Sequence, residues 1–251
     1  MTGEAGSTFM RNTQHERLSP SDQHKGVPQP PLELGWDEAR PTTNLPTPNE
    51  LPDDVCDLRT AIENRRSVRQ YSRHALTLKE LSFLLWCTQG VRETVDSYAT
   101  LRNVPSAGAR HALETYLLVN NVAKLRPGLY RFLATAHRLA EVDTTDGLAE
   151  KMTAACWEQS QVRQSAVTFF WVAIPSRMTW RYGERGYRYL HLDAGHVCQN
   201  LYLAAEVIGA GVCAIAAFQD QALNSLLSLD GERQFVIYLA TVGKKHAPSV
   251  A

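Results

Sequence analysis

The sequence predicts an α+β domain preceded by an extended, proline-rich arm. Three observations lead there. Helical and strand periodicities alternate irregularly from Asp57 onward. An unbroken apolar run, Val167 to Ile174, is stopped by Pro175 and reads as a buried strand. Eight of the 12 prolines fall within the first 52 residues, where they rule out long helix.

With 251 residues, 44% of them hydrophobic, the chain can bury one sizeable core. The expected organisation is an arm over 1–54, one domain over 55–247 and a tail over 248–251. The arm is either a disordered tail or a strap across the domain or a partner subunit, with Leu32, Leu34 and Trp36 as anchors.

Asp57 opens a short helix with Leu58, Ala61 and Ile62 on one side, ending near Arg65-Arg66. Thr77-Leu78-Lys79-Glu80 has the form of a capping box, and Leu78, Leu81, Leu84 and Leu85 continue it as a helix to Gly90. Strands are predicted over Thr115 to Val119 and, as a hairpin, over Leu129 to Leu133 and Arg138 to Val142. Helices are expected over Gly147 to Cys156 and around Glu158 to Gln164. Tyr187 to Ile208 is apolar on most faces, so that helix must be buried on most sides. A strand over Val212 to Phe218, a short helix through Leu223 to Leu227 and a strand over Phe235 to Val242 complete the layout.

The 26 basic residues balance the 26 acidic ones, so net charge gives no reason to expect nucleic acid or an anionic membrane as partner. Five scattered cysteines without a C-x-x-C pair point to reduced thiols and a cytoplasmic setting. Met1 to Leu18 lacks an apolar signal core, and no stretch approaches the roughly 20 apolar residues of a membrane span. The expectation is a soluble, unexported protein. Signatures of the nicotinamide Rossmann fold, P-loop, serine hydrolase and zincin are missing. His191 and His196 flank Asp193, but their five-residue spacing favours hydrogen-bonded helix residues over a metal site, and none is expected.

Arg65-Arg66-Ser67-Val68-Arg69 gathers three guanidiniums and a hydroxyl where a helix ends. Such a fork-rich cluster suits a phosphoryl group. Alone, it reads at least as readily as a solvated basic helix end. A second motif changes the balance: Pro105-Ser106-Ala107-Gly108-Ala109-Arg110-His111 leads directly into a strand.

With these two motifs in this order, the sequence resembles the FMN-dependent nitroreductase superfamily, and in detail its SagB-type dehydrogenases. Arg185 to His196, Val212 to Phe218 and the closing Val242-Gly243-Lys244 are similar to the same branch. The resemblance runs from about Asp57 to Lys245. It implies a central mixed, mostly antiparallel sheet flanked by helices, an FMN cofactor, and a homodimer with its sites at the subunit interface.

Carried over residue by residue, it implies that Arg65, Arg66 and Ser67 hold the FMN phosphate and Arg69 faces the pyrimidine end of the flavin, where reduction places negative charge. Pro105, Ser106, Ala107 and Gly108, with Arg110, would form a turn packed on the flavin across the dimer interface. Ala214, Ile215 and Ala216 would border N5, and Gly243 and Lys244 would return to the phosphate. The cluster and the turn must then enclose one flavin. Wide separation of the two, or a cleft too narrow for a three-ring heterocycle, would overturn the reading.

The branch carries a Lys-Tyr pair where this chain has Arg181-Tyr182. Azoline oxidation requires loss of a Cα proton, which a desolvated lysine can accept and an arginine effectively cannot. Either Tyr182 manages the proton alone, or no strong base is needed, or Arg181 binds an anionic substrate group. Otherwise the pair belongs to a loop with no chemical role. Three functions follow: an FMN dehydrogenase of a small molecule or modified peptide, an NAD(P)H-driven nitro or quinone reductase, or a non-catalytic flavin-binding or docking subunit of a peptide-modifying complex.

Overall fold

The computed structural model describes residues 3–47, 50 and 56–246. The expected boundaries at 54 and 247 and the tail 248–251 lie outside the described residues. The helices are α1 (Glu4–Asn12), α2 (Leu58–Asn64), α3 (Leu78–Gln89), α4 (Leu148–Ala155), α5 (Gln161–Gln164), α6 (Pro175–Tyr182), α7 (Gly186–Val207) and α8 (Asp220–Leu226). The strands are β1 (Thr42–Asn44), β2 (Val91–Val95), β3 (Ala99–Arg102), β4 (Leu113–Val119), β5 (Gly128–Leu133), β6 (Arg138–Asp143), β7 (Val167–Ala173), β8 (Ala210–Ile215) and β9 (Phe235–Lys244).

Seven strands form one sheet in the order β1-β6-β5-β4-β7-β9-β8, and every ladder in it is antiparallel. The expected parallel component shrinks, among the described residues, to isolated bridges at Ser67–Val212 and Leu76–Val122. Successive side chains of β7 point to opposite faces. Phe169 and Trp171 therefore pack with α3 and α7, whereas Phe170 and Val172 pack with α4 and α8. Helices on both faces explain why β4 and β7 are buried along their whole length without alternation.

Thr77 and Glu80 form the expected capping box at the start of α3. The final strand and the long helix also stand where their periodicities put them. Four elements were not anticipated: α1, the edge strand β1, the separate β2–β3 hairpin and α6. Pro175 does stop β7, but it also opens α6, because a missing N–H and a fixed φ suit a first helical turn. Arg181-Tyr182 consequently ends a helix instead of occupying a loop. β8 ends at Ile215, short of the expected Phe218. Among the described residues, no helix is long and apolar enough to cross a membrane.

The arm lies on the domain, held mainly through its backbone. Leu34 N–H donates to Glu114 at 2.9 Å, and the Pro31 carbonyl accepts from Arg177 Nε at 2.7 Å. Arg131 donates to the Gly35 carbonyl at 2.9 Å and to that of Leu34. Further along, β1 adds an edge strand to β6, and Ser82 Oγ donates to the Pro46 carbonyl at 2.6 Å. Leu32, Leu34 and Trp36 are half-buried. Leu34 packs against the second core.

Glu114 on β4 is the centre of this strap. It is 4% exposed and pairs with Arg177 at 2.6 Å and with Arg131 at 3.6 Å. Removing one partner from a buried pair leaves the others uncompensated, at a cost of about 3–5 kcal/mol. Glu114→Ala is accordingly expected to lower the urea unfolding free energy by about that amount. An unchanged unfolding midpoint would show that the network contributes nothing to stability.

Candidate active site

The cation cluster begins where α2 ends. Asp57 caps the helix by accepting from Thr60 N–H, and Arg65 closes it, donating its own N–H to Ala61. Arg66 turns back onto the carbonyls of Glu63 and Arg65, at 2.7 and 2.9 Å. Beyond it the chain runs extended along the sheet edge, with Val68 N–H donating to Val212 at 2.8 Å and Ser72 N–H to Lys244 at 2.9 Å. Two glycines permit that approach. A Cβ on Gly211 would sit 2.6 Å from Val68, and one on Gly243 would sit 2.6 Å from the Tyr71 ring.

Tyr202 of α7 gathers the cluster. Its hydroxyl lies 3.2 Å from Ser67 Oγ and accepts from Ala214 N–H at 3.0 Å, while the Arg65 guanidinium stacks 5.3 Å from its ring centroid. Arg65, Ser67 and Ala214, three of the expected site residues, thus meet at one phenol that the sequence reading treated only as apolar surface. A buried tyrosine needs a partner for its hydroxyl, and that was the available signal. Arg66 and Arg69 are exposed beside them. Ile215 points into the second core and Ala216 is exposed just past β8. Lys244 is otherwise engaged: its ammonium donates to Glu80 and, at 2.6 Å, to the Ile208 carbonyl.

The small-residue turn is built on Asp193 of the same helix. Ser106 Oγ donates to Asp193 Oδ2 at 2.5 Å, Ala107 N–H reaches Oδ1 at 3.3 Å, and His111 N–H donates to Ser106 Oγ at 2.9 Å. Burial pushes the Asp193 carboxyl above the usual carboxylate range, against the hydrogen bonds it accepts. Pro105 is exposed on the outside of the turn. Gly108 is needed twice over, by its φ of 58° and because a Cβ there would lie 2.4 Å from the Tyr182 hydroxyl.

Arg110, expected to touch the cofactor, braces the turn instead. It is 3% exposed, donates to the Gly108 and Tyr98 carbonyls, and lies over the rings of Tyr98 and Trp180. Arg181 and Tyr182 come up against this turn from the end of α6. Arg181 donates to the Tyr98 hydroxyl at 2.8 Å, and Tyr182 packs edge-on against Tyr189.

The cluster and the turn therefore dock nine residues apart on α7. At 1.5 Å and 100° per residue that is about 13 Å along the axis and half a turn around it. They face opposite sides of the helix. Within one protomer the two segments are thus anchored apart on α7, so the expectation that they enclose one flavin rests on the turn reaching it from a second subunit.

The nitroreductase family profile matches residues 62–244, which contain the cluster, the turn, α6 and α7 and leave the arm outside. The chain belongs to the nitroreductase family. Its members are FMN-dependent oxidoreductases. This chain is 32% identical over 197 residues to a Methanocaldococcus jannaschii protein provisionally described as a nitroreductase, covering 78% of this chain and 96% of that one. It is 31% identical over 163 residues to the trifolitoxin-processing protein TfxB of Rhizobium leguminosarum bv. trifolii, covering 62% of this chain and 44% of TfxB. A crystal structure of a provisionally described nitroreductase from Anabaena variabilis superimposes with a TM-score of 0.64 at 32% identity, covering 76% of this chain and 38% of that one. The chain therefore spans less than half of TfxB and of the Anabaena protein.

The donor set of this nitroreductase fits a flavin phosphate. Arg65, Arg66 and Arg69 make no ion pair among the described residues, so three guanidiniums and the Ser67 hydroxyl remain for an anion. Lys244 fits less well, because Glu80 already neutralises it. Among the described residues no group of three or more His, Cys, Asp and Glu side chains could hold a metal ion.

Burial first, and then the neighbouring Arg102 and Arg110, hold the imidazole of His111, whose backbone ties the turn, down at about 3. The unfolded chain binds a proton below about pH 6.5 that the folded chain refuses, so stability is full above that pH and falls as pH drops toward 3. His111→Asn keeps a residue tolerant of the φ of 42° and should flatten this dependence. Urea titrations at pH 7 and pH 5 read the difference. Equal slopes for the two proteins would mean that His111 is not held neutral.

Proposed function

We propose that the chain is an FMN-dependent oxidoreductase of the SagB type, working as a homodimer on a small molecule or a modified peptide. The observation that carries this is the convergence of Arg65, Ser67 and Ala214 on Tyr202, which leaves unpaired guanidiniums beside the edge of β8. In this reading Arg65, Arg66 and Ser67 hold the phosphate and Arg69 faces the pyrimidine end. Ala214 to Ala216 border the ring, and Gly243 lets the 67–72 segment lie close. Lys244 joins only by exchanging Glu80. When bound, FMN supplies a two-electron carrier that takes up or returns hydride at N5.

A second copy of the chain resolves the geometry of the turn. Pro105 to Gly108 point away from their own cluster, and a two-fold partner would bring them to the other protomer's flavin. Apolar surface supports such a partner: Leu58 and Ile62 on α2 and Leu192 on α7 are 63%, 53% and 58% exposed. An apolar groove between α2, α3 and α7, lined in part by Phe83, Trp86, Leu203 and Val207, lies alongside. Likeness to TfxB supports a peptide as one class of substrate. The arm, with its boundary set at 54, and the domain over 55–247 act as one unit. The five unpaired cysteines fit a cytoplasmic setting.

A second reading, an NAD(P)H-driven nitro or quinone reductase, is favoured by Arg181. A guanidinium does not accept a proton at neutral pH, so of the Arg181-Tyr182 pair only Tyr182 could move one. Reduction of a flat acceptor requires no base of lysine type.

Purified protein should be yellow. Bleaching by NADPH alone would select the reductase, bleaching only by an azoline-bearing peptide would select the dehydrogenase, and failure to hold FMN after reconstitution would remove both. Arg65→Ala should weaken FMN binding by about 10–100-fold, the worth of a charged hydrogen-bond pair, with an unchanged unfolding midpoint. Equal FMN affinity in the variant would refute the phosphate assignment.

A further inference from the structure

Residues 13–27 of the arm are fastened at one end to Arg185 and to Arg188 of α7, and at the other to Trp180 of α6, the helix that ends in Arg181-Tyr182. Arg185 donates to the Thr13 carbonyl at 2.8 Å and Arg188 to Thr13 Oγ1 at 2.6 Å. At the other end Gln23 N–H donates to the Trp180 carbonyl at 2.8 Å, and Trp180 Nε1 donates to Val27 at 2.7 Å. Between these fastenings the chain bows away from α6. It borders an open cleft of about 400 Å³ with His15, Leu18, Pro20 and His24 on the arm side and Arg181 and Tyr182 on the other.

The lining of this cleft is chemically one-sided. It contains an arginine, two histidines, two serine hydroxyls and a phenol, and not one carboxylate. Arg181 has only the Tyr98 hydroxyl as hydrogen-bond partner and makes no ion pair among the described residues. His24 is oriented by Ser21 Oγ at 2.8 Å. Leu18 and Pro20 add an apolar wall. On the other side of the same Leu18–Ser21 wall a second cleft carries Asp22 and Glu184, so the lack of acid on the Arg181 side is not a property of the arm as a whole.

We infer that the arm and Arg181 together form a binding site for a small carboxylate-bearing molecule with a flat apolar body. The planar guanidinium offers the paired donors that a carboxylate takes bidentately, and Leu18 and Pro20 cover the body of the molecule. The volume lies within the range of small-ligand pockets. Tyr182 lines the cleft with its hydroxyl against Gly108, so a molecule held there lies next to the small-residue turn. The site deepens the oxidoreductase reading by naming its substrate class, and rests on that reading only in treating the ligand as a substrate.

Calorimetric titration of the full chain with benzoate and with neutral benzamide, each with and without added FMN, tests the site. Benzoate should bind about 10-fold or more tightly than benzamide. Arg181→Gln should bring the two within about twofold. His24→Glu, which sets a carboxylate in the arm wall, should weaken benzoate by about 10-fold and leave benzamide unchanged. Equal binding of the two probes, or no benzoate binding up to about 10 mM, overturns the anion site. An unaltered ratio in His24→Glu removes the arm from it. Loss of FMN binding with the benzoate preference intact would defeat the oxidoreductase reading and leave the site standing.

Discussion

Burial of α7 on most of its sides is the constraint around which the molecule is organised. Ten of the 22 residues of α7 are buried, and each polar position among them must find a partner. Asp193 and Tyr202 are two such places. The first holds the small-residue turn through Ser106 and Ala107, and the second collects Ser67, Ala214 and the stacked Arg65. One helix thus fixes both candidate segments, half a turn apart, and their separation follows from helical geometry.

That separation carries the argument for a partner copy. A cleft within one chain would have needed both segments on one face of α7. Opposite faces, together with exposed apolar side chains on α2 and α7, make a two-fold assembly the economical arrangement. In the assembly proposed above, each protomer would lend its turn to the other's cation cluster.

The arm depends on a different interaction. Glu114, Arg131 and Arg177 are charged groups taken out of water, and backbone groups of Pro31, Leu34 and Gly35 satisfy most of their hydrogen bonds, leaving Arg131 Nε without one. Extended, proline-rich chain suits this role, since its carbonyls and N–H groups are not consumed by helix or sheet. The same strap continues to Trp180 and α6, so the network that docks the arm also positions the wall facing Arg181.

The sequence by itself determined the elements whose signals are local. The capping box of Thr77 and Glu80, the apolar run of β7, the helical repeat of α7 and the order of the small-residue and cationic motifs were all legible because each depends on neighbours a few residues away. Only the tertiary structure decided what those residues meet. Pro175 was legible as a stop but not as the start of α6, since one ring chemistry serves both. Arg110 resembled a ligand until the rings of Tyr98 and Trp180 enclosed it, and Lys244 resembled one until Glu80, 164 residues away, took its charge. The partners of Tyr202 and the carboxylate-free lining under the arm could not be read, because they lie far off along the chain and are brought together only when the helices and the arm pack.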